Sequence, residues 1–337
     1  MTQTTTPQAA PQTDPQTDPQ TDPVAKGVDG SNTGIQAGLI WFNGELVPQE
    51  RATISVLSHA LHYGTSIFEG VRAYETANGS AIFRLEDHTK RLFDSAHIMR
   101  FPMPFSSEEI NQAHVSVVRE NALKSCYIRP LVWRGFNVLG VNPMPCPVEV
   151  MVAAWQWSSY LGEESANKGA RLMTTAWTRL PAGAMPGKAK AGGNYINSAL
   201  ARMDAVSSGF DEGLLLDQNG FIAEGTGENF FFINKGVVYA ISKSVNLTGI
   251  TRESIIQICR DMGLEVVETM ATREELYCAD EVFMTGTAAE VTPVSEIDYR
   301  KIGNGSAGKL SLEIRKRYLA AATGQDAKYD HWLTHVK

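Results

Sequence analysis

Lys188-Ala189-Lys190-Ala191-Gly192-Gly193-Asn194-Tyr195 is the stretch on which the reading of this chain turns. Two lysines stand among small residues and paired glycines, where backbone can approach a ligand closely. The run leads into a helical pattern from Asn194 to Ser208 that stops before Gly209. A lysine is a nucleophile only when deprotonated. Lowering its pKa from about 10.4 to about 7 costs roughly 4–5 kcal/mol, supplied by desolvation or a nearby cation. A buried lysine here is a candidate nucleophile toward a carbonyl carbon. A surface lysine ahead of a helix has the same spacing.

Downstream, Leu214-Leu215-Leu216 and Phe221-Ile222 flank Asp217 to Gly220, and Phe230 to Ile233 and Val237 to Tyr239 flank Asn234-Lys235-Gly236. Both read as hairpins. Between them lies Glu224-Gly225-Thr226-Gly227-Glu228-Asn229, with two carboxylates among glycines and no histidine near. Metal binding and glycoside hydrolysis fit this poorly, whereas a single carboxylate facing a heterocyclic nitrogen suits it better. A glycine turn with solvated glutamates has the same composition. Two segments resemble phosphate cradles. Leu247-Thr248-Gly249-Ile250-Thr251 runs into a helix from about Arg252 to Met262, closed by Gly263, and helix starts attract anions. Thr285-Gly286-Thr287-Ala288-Ala289 follows a strand at Val282 to Met284 and offers hydroxyls and closely spaced amides. Ordinary helix caps have this appearance too.

Upstream, Ile40-Trp41-Phe42, Asn43-Gly44 and Glu45-Leu46-Val47 spell a hairpin. Ala81-Ile82-Phe83 reads as a strand, followed by a helix with Leu92, Phe93, Ala96 and Met99 on one face. Ser106 and Glu109 stand at capping-box spacing ahead of Ile110, Ala113, His114, Val117 and Val118. Strands follow at Tyr127 to Trp133 and Val148 to Trp155, and later at Arg171 to Trp177. Strands, two helices, then strands again predict an α+β domain ending near Trp157. Tyr127 and Arg129 share a strand face, where Arg129 can clamp a carboxylate. Trp155, Trp157 and Tyr160 crowd the junction with the next domain, a common place for ligands. His59 and His62 would lie a turn apart on a helix, but no third ligand is evident, so structural histidines are expected and no metal.

The whole chain has 337 residues and a formal net charge of -7, which argues against binding nucleic acid through a basic surface. No run approaches the ~18 apolar residues of a membrane span. Length favours two domains. Cys126, Cys146, Cys259 and Cys278 are too sparse for a disulfide scaffold, so a reduced, cytoplasmic setting is expected. In the first thirty residues Pro-Gln-Thr-Asp recurs at 11–14, 15–18 and 19–22 with no large apolar residue beyond Val24 and Val28, and disorder is expected there. Neither a Rossmann fingerprint nor a P-loop is present.

Taken together, the blocks resemble the branched-chain amino-acid aminotransferases, pyridoxal-phosphate enzymes of fold type IV. The resemblance runs from about Ile40 onward. It is carried by Ser58-His59-Ala60-Leu61-His62-Tyr63-Gly64-Thr65-Ser66 with Phe68-Glu69-Gly70, by Tyr127-Ile128-Arg129-Pro130-Leu131, and by Ala189 to Tyr195. Glu224 to Asn229, Gly249-Ile250-Thr251-Arg252 and Gly286 to Glu290 complete it. It implies an α+β, two-domain fold: a tail over 1–33, a smaller α/β domain over 34–157, a linker over 158–168 and a larger pseudo-barrel domain over 169–337. It also implies that Lys190, not Lys188, bonds the cofactor aldehyde. Tyr195 would hydrogen-bond the ring oxygen and Glu224 face the pyridine nitrogen. Arg91, Leu247, Gly249, Ile250, Thr251, Gly286 and Thr287 would complete the pyridoxal 5'-phosphate site. Thr248 stands where the family commonly has proline, and the loop at 241–246 looks one residue short.

For substrate, the resemblance implies an apolar wall of Phe68, Gly70, Trp157, Tyr160 and Tyr195, with Tyr63 and Val141 from a neighbouring subunit. Arg129 would take glutamate's distal carboxylate. Tyr127 and the amides around Thr287 and Ala288 would take the α-carboxylate. The implied reaction moves an amino group from L-leucine, L-isoleucine or L-valine to 2-oxoglutarate by ping-pong turnover, in a homodimer or larger homo-oligomer. The rivals are a D-amino-acid aminotransferase or aminodeoxychorismate lyase of the same fold, and a non-catalytic metabolite-binding protein.

Overall fold

The computed structural model describes residues 35–157, 168–242 and 246–337. The repeat tail, most of the expected linker and Tyr160 lie outside the described residues. The described residues form one compact unit built on two sheets.

The first sheet starts with the hairpin of β1 (Leu39–Phe42) and β2 (Glu45–Pro48). Both of its turn residues, Asn43 and Gly44, have positive φ, the geometry that matches the twist of a two-residue hairpin. With β3 (Ser66–Phe68), β4 (Val71–Thr76), β5 (Gly79–Phe83), β6 (Cys126–Arg134) and β7 (Val148–Gln156), the order runs β5-β4-β6-β7-β1-β2, and β3 pairs with β6. The chain's last strand (Leu333–His335) returns to pair with β5, so the C-terminus belongs to this sheet.

A short α1 (His59–Tyr63) precedes β3. Two longer helices cover the sheet, α2 (Leu85–Ile98) and α3 (Ser107–Glu120). The buried residues of α3 are Ile110, Ala113, His114, Val117 and Val118, the set its periodicity picks out. Leu92 and Ala96 of α2 join them against Val71, Ile128 and Val152. A fully buried aliphatic side chain of this kind stabilises the fold by about 1.5–3 kcal/mol.

The second sheet holds β8 (Ala170–Thr174), β9 (Glu212–Leu216), β10 (Ile222–Gly225), β11 (Asn229–Asn234), β12 (Val237–Ile241), β13 (Val266–Thr269), β14 (Glu281–Gly286) and β15 (Glu290–Ile297). Their order is β10-β9-β8-β15-β14-β11-β12-β13, with parallel pairing at β8–β9, β8–β15 and β12–β13. The expected strand at Arg171 to Trp177 ends early, at Thr174. Asp298 takes the Thr174 N–H and hydroxyl, and Trp177 leaves the sheet to donate its indole N–H to Asp204. Helix α4 (Tyr195–Ser207) lies on β9, and α5 (Ile250–Asp261) on β14. Helix α6 (Arg273–Tyr277) is a single short stretch, and α7 (Lys309–Ala322) packs beside α5. Both sheets carry helices, which makes the fold α+β as expected.

The α3 start is a formed capping box: the Ser106 hydroxyl accepts from the Glu109 N–H, and the Glu109 carboxylate accepts from the Ser106 N–H at 2.8 Å. Ser106→Ala is therefore expected to lower stability by about 1 kcal/mol in urea unfolding, and Ser106→Asp to keep most of it. Equal midpoints for wild type and Ser106→Ala would contradict this.

Candidate active site

The segment carrying Lys190 behaves as an extra strand of the first sheet. The Phe68 N–H donates to the Lys190 carbonyl at 3.0 Å, Ala191 bridges Ile67, and the Lys190 N–H donates to Ser95 Oγ at 3.0 Å. Gly193 is tied to the carbonyl of Gly64, the residue that ends α1. Lys190 thus projects from the first sheet into a cavity of about 900 Å³, open mouth included, whose opposite wall comes from the second sheet. Lys188 points elsewhere, donating to the Asn246 carbonyl at 2.9 Å.

Every residue the resemblance implied for the cofactor lines this one cavity: Lys190, Arg91, Tyr195, Glu224, Leu247, Gly249, Ile250, Thr251, Gly286 and Thr287. Of the implied substrate residues, Phe68, Gly70, Tyr127, Arg129, Tyr195, Thr287 and Ala288 line it too. Trp157 does not. It stacks behind Tyr127 at 5.1 Å between ring centroids, with Trp155 completing the cluster. Tyr63 and Val141 do not face the cavity of their own chain and are 46% and 81% exposed.

Burial in the cavity wall and the nearby Arg91 and Arg129 guanidiniums pull the Lys190 amine down to about 8. Its Nζ lies 2.5 Å from the Tyr195 hydroxyl and over the Phe68 ring at 4.8 Å. Tyr195 is itself raised above the ordinary phenol range, by burial first and then by Glu224, so it stays a neutral donor. Burial also raises Glu224, against the pull of Arg179, whose Nε sits 2.5 Å from its carboxylate. The Leu247 N–H supplies a further bond to Glu224 at 3.1 Å. Glu228 ends differently. Burial and the charge of Glu212 push it up to about 8, so it is uncharged at neutral pH.

Arg91 is held from behind. Its Nε and Nη2 donate to both oxygens of Glu69, and Nη1 donates to the Thr248 carbonyl at 2.7 Å. That last bond needs only the backbone of residue 248, so a threonine serves there as well as the commoner proline. Glu69 is fully buried. Burial alone would raise it, yet Arg91 and the His88 hydrogen bond hold it well below the usual carboxylate range. Arg179, Glu69 and His88 are functional neighbours that the sequence reading gave no role. Glu69 lay inside a quoted block, whereas Arg179 sits in an irregular loop with no periodic signal.

His59 is buried with one ring nitrogen on Thr65 Oγ1 and the other on the Gly140 carbonyl, both at 2.8 Å. Among the described residues no cluster of histidine, cysteine, aspartate or glutamate could hold a metal. No helix among them is long and apolar enough to cross a membrane.

Two glycines shape the cavity by lacking a side chain. A Cβ at Gly70 would collide with the Tyr127 hydroxyl, and one at Gly249 with the Asn229 side chain. The Gly249 position opens the first turn of α5, whose free N–H groups and positive dipole end suit an anion. A lysine of lowered pKa, a carboxylate across from it, an arginine and a helix start in one cavity suit an aldehyde-bearing, phosphorylated heterocycle.

Fold and site correspond to one enzyme class, and the family description "Amino-transferase class IV" matches residues 66–297. The chain is 48% identical over 300 residues to the branched-chain-amino-acid aminotransferase of Pseudomonas aeruginosa, covering 89% of this chain and 98% of that one. It is 45% identical over 303 residues to that of Escherichia coli K12, with the same coverage. Among solved structures, a T.th. branched-chain amino acid aminotransferase complexed with N-(5'-phosphopyridoxyl)-L-glutamate matches with a TM-score of 0.88 and 61% identity over 90% of this chain and all of that one. The Escherichia coli enzyme matches with a TM-score of 0.87 and 44% identity over 89% of this chain and all of that one. The chain belongs to the branched-chain-amino-acid aminotransferases, within class IV and the α+β fold type IV architecture.

Two outcomes are expected. In the cofactor-free protein, amine labelling at Lys190 read by mass spectrometry should rise with a midpoint near pH 8, because the neutral amine accumulates as pH passes its pKa. A midpoint near 10.5 would contradict the lowered pKa. Gly70→Ala should displace Tyr127 and raise KM for amino-acid substrate about tenfold with cofactor absorbance unchanged; an unaltered KM would show that Tyr127 is not displaced.

Proposed function

We propose that this enzyme transfers the amino group of L-leucine, L-isoleucine or L-valine to 2-oxoglutarate with pyridoxal 5'-phosphate held in the Lys190 cavity. The observation that carries the reading is the lowered Lys190 amine, hydrogen-bonded to Tyr195 and facing the Glu224–Arg179 pair across one cavity. The bound cofactor would supply the carbonyl that takes the amino group and the conjugated ring that accepts an electron pair when the α C–H bond breaks.

The chain's own residues do the rest. Lys190 Nζ takes the α-proton of the substrate in its neutral form, which the lowered pKa brings within reach near neutral pH, and later returns it. Glu224, with Arg179 beside it, presents fixed negative charge toward the ring nitrogen, and Tyr195 donates to the ring oxygen. Arg91, locked by Glu69 and His88, and the first amides of α5 with Thr251 and Thr287 receive the phosphate, while Leu247, Gly249 and Gly286 bring backbone close. The Tyr127 hydroxyl and the amides of Thr287 and Ala288 hold the α-carboxylate. Phe68, Gly70 and Tyr195 shape the side-chain pocket, Trp157 backs Tyr127, and Arg129 takes the distal carboxylate of glutamate in the second half of the ping-pong cycle. One methylene changes selectivity in such a pocket by only ~1–3 kcal/mol, so all three branched substrates are accepted.

A second copy of the chain completes the site. Tyr63 and Val141 lie on adjoining segments, joined by Tyr63 Oη to the Leu139 carbonyl at 2.9 Å and by His59 to Gly140. The same segments expose the apolar side chains of Val56, Leu61, Phe136 and Met144. Exposed apolar side chains on the segments that carry Tyr63 and Val141 support a homodimer or higher homo-oligomer with shared sites. Four free cysteines suit the reducing cytoplasm.

The test of the chemistry is the pair of half-reactions, followed by cofactor absorbance. Wild type is expected to respond to L-isoleucine and L-glutamate but not D-alanine, and Lys190→Ala to lose the response by at least about 10³-fold. A response to D-alanine in place of L-isoleucine would favour the D-amino-acid rival, and cofactor binding without any response the metabolite-binding one. For the shared site, Val141→Asp is expected to shift light-scattering mass toward monomer and lower kcat/KM together. An unchanged mass and activity would remove Val141 from the site.

A further inference from the structure

Thr285 carries a hydroxyl that the family motifs leave without a role. It is 1% exposed, it lines the Lys190 cavity, and its Oγ1 has no hydrogen-bond partner among the described residues. Buried hydroxyls are nearly always partnered, so an orphan one beside a ligand cavity is a donor awaiting an acceptor.

Its direction follows from the sheet. Thr285 of β14 stands directly opposite Asn229 of β11, so the two side chains share a face. The Asn229 amide donates to the Leu247 carbonyl at 3.2 Å, and its oxygen abuts Gly249, the residue that opens α5. The same face carries Phe283 and Phe231, stacked at 4.9 Å in the core shared with α5. Thr285 therefore faces the N-terminal turn of α5, where free amides and the helix dipole attract an anion.

We propose that Thr285 is a further ligand of the cofactor phosphate, its hydroxyl donating to a phosphate oxygen at the start of α5. The proposal rests on the reading of the cavity as a pyridoxal 5'-phosphate site. Thr285→Val removes the donor at nearly constant shape, and Thr285→Ser keeps it.

The experiment measures equilibrium capture of pyridoxal 5'-phosphate and of phosphate-free pyridoxal by the cofactor-free protein, with no turnover involved. In Thr285→Val the Kd for pyridoxal 5'-phosphate is expected to rise about tenfold, the scale of one charge-assisted hydrogen bond, while pyridoxal binds as to wild type. Thr285→Ser should stay within about twofold for both aldehydes. An unchanged Kd for pyridoxal 5'-phosphate in Thr285→Val overturns the proposal, and so does an equal loss for the two aldehydes, which marks a packing role. If the Val variant does not fold, judged by circular dichroism, Thr285→Ala replaces it under the same criteria. Wild type that captures neither aldehyde at Lys190 overturns the cofactor reading itself, an outcome distinct from a wild type that binds and a variant that does not differ.

Discussion

A backbone hydrogen bond, from the Phe68 N–H to the Lys190 carbonyl, fixes where Lys190 enters the cavity. Lys190 lies far along the chain from β3, yet this bond, the Ile67–Ala191 bridge and the Ser95 hydroxyl clip its backbone to the first sheet. Its carboxylate counterpart, Glu224, is fixed on β10 of the second sheet. The cavity exists because two rigid sheets hold these groups apart. Sites mounted on sheets and helices keep their geometry better than sites on loops.

Burying so many charges is costly unless each finds a partner. Arg91 has Glu69 and His88 behind it, Glu224 has Arg179, and Arg72 has Glu290 at 2.9 Å. Lys190 has no such carboxylate partner at ion-pair distance among the described residues. Arg91 and Arg129 disfavour a third positive charge, Glu69 partly offsets them, and burial adds the larger push. The outcome is an amine lowered to about 8.

Much of this was legible in the residues. The Asn43-Gly44 hairpin, the Ser106–Glu109 box and the i, i+3, i+4 face of α3 are local signals, and local geometry reproduces them. The lysine and glutamate segments were legible as chemistry but ambiguous in isolation. A lysine ahead of a helix is more often on the surface, and only the order of several blocks separated Lys190 from Lys188. What stayed hidden depends on contacts between distant segments. Arg179 reaches Glu224 from a loop without period, and Trp177, assigned to a strand, leaves it for Asp204. The cradle reading of Thr285 to Ala289 left open which hydroxyl meets the start of α5, and the β11–β14 register shows that Thr285 shares a face with Asn229.

The two glutamates of the Glu224–Glu228 turn show how little of a residue's function resides in its type. They are four positions apart, both buried, and both raised by that burial. Glu224 has a guanidinium against it and an amide on its oxygen, which favour the charged form. Glu228 faces a second carboxylate, Glu212, already committed to Arg202 and to the Thr226 hydroxyl at 2.7 Å. Two anions in that enclosure would repel, so Glu228 keeps its proton and contributes shape without charge. Only one of the pair has a guanidinium at ion-pair distance among the described residues. Which one was decided by Arg179 and Glu212, residues outside the motif that both glutamates share.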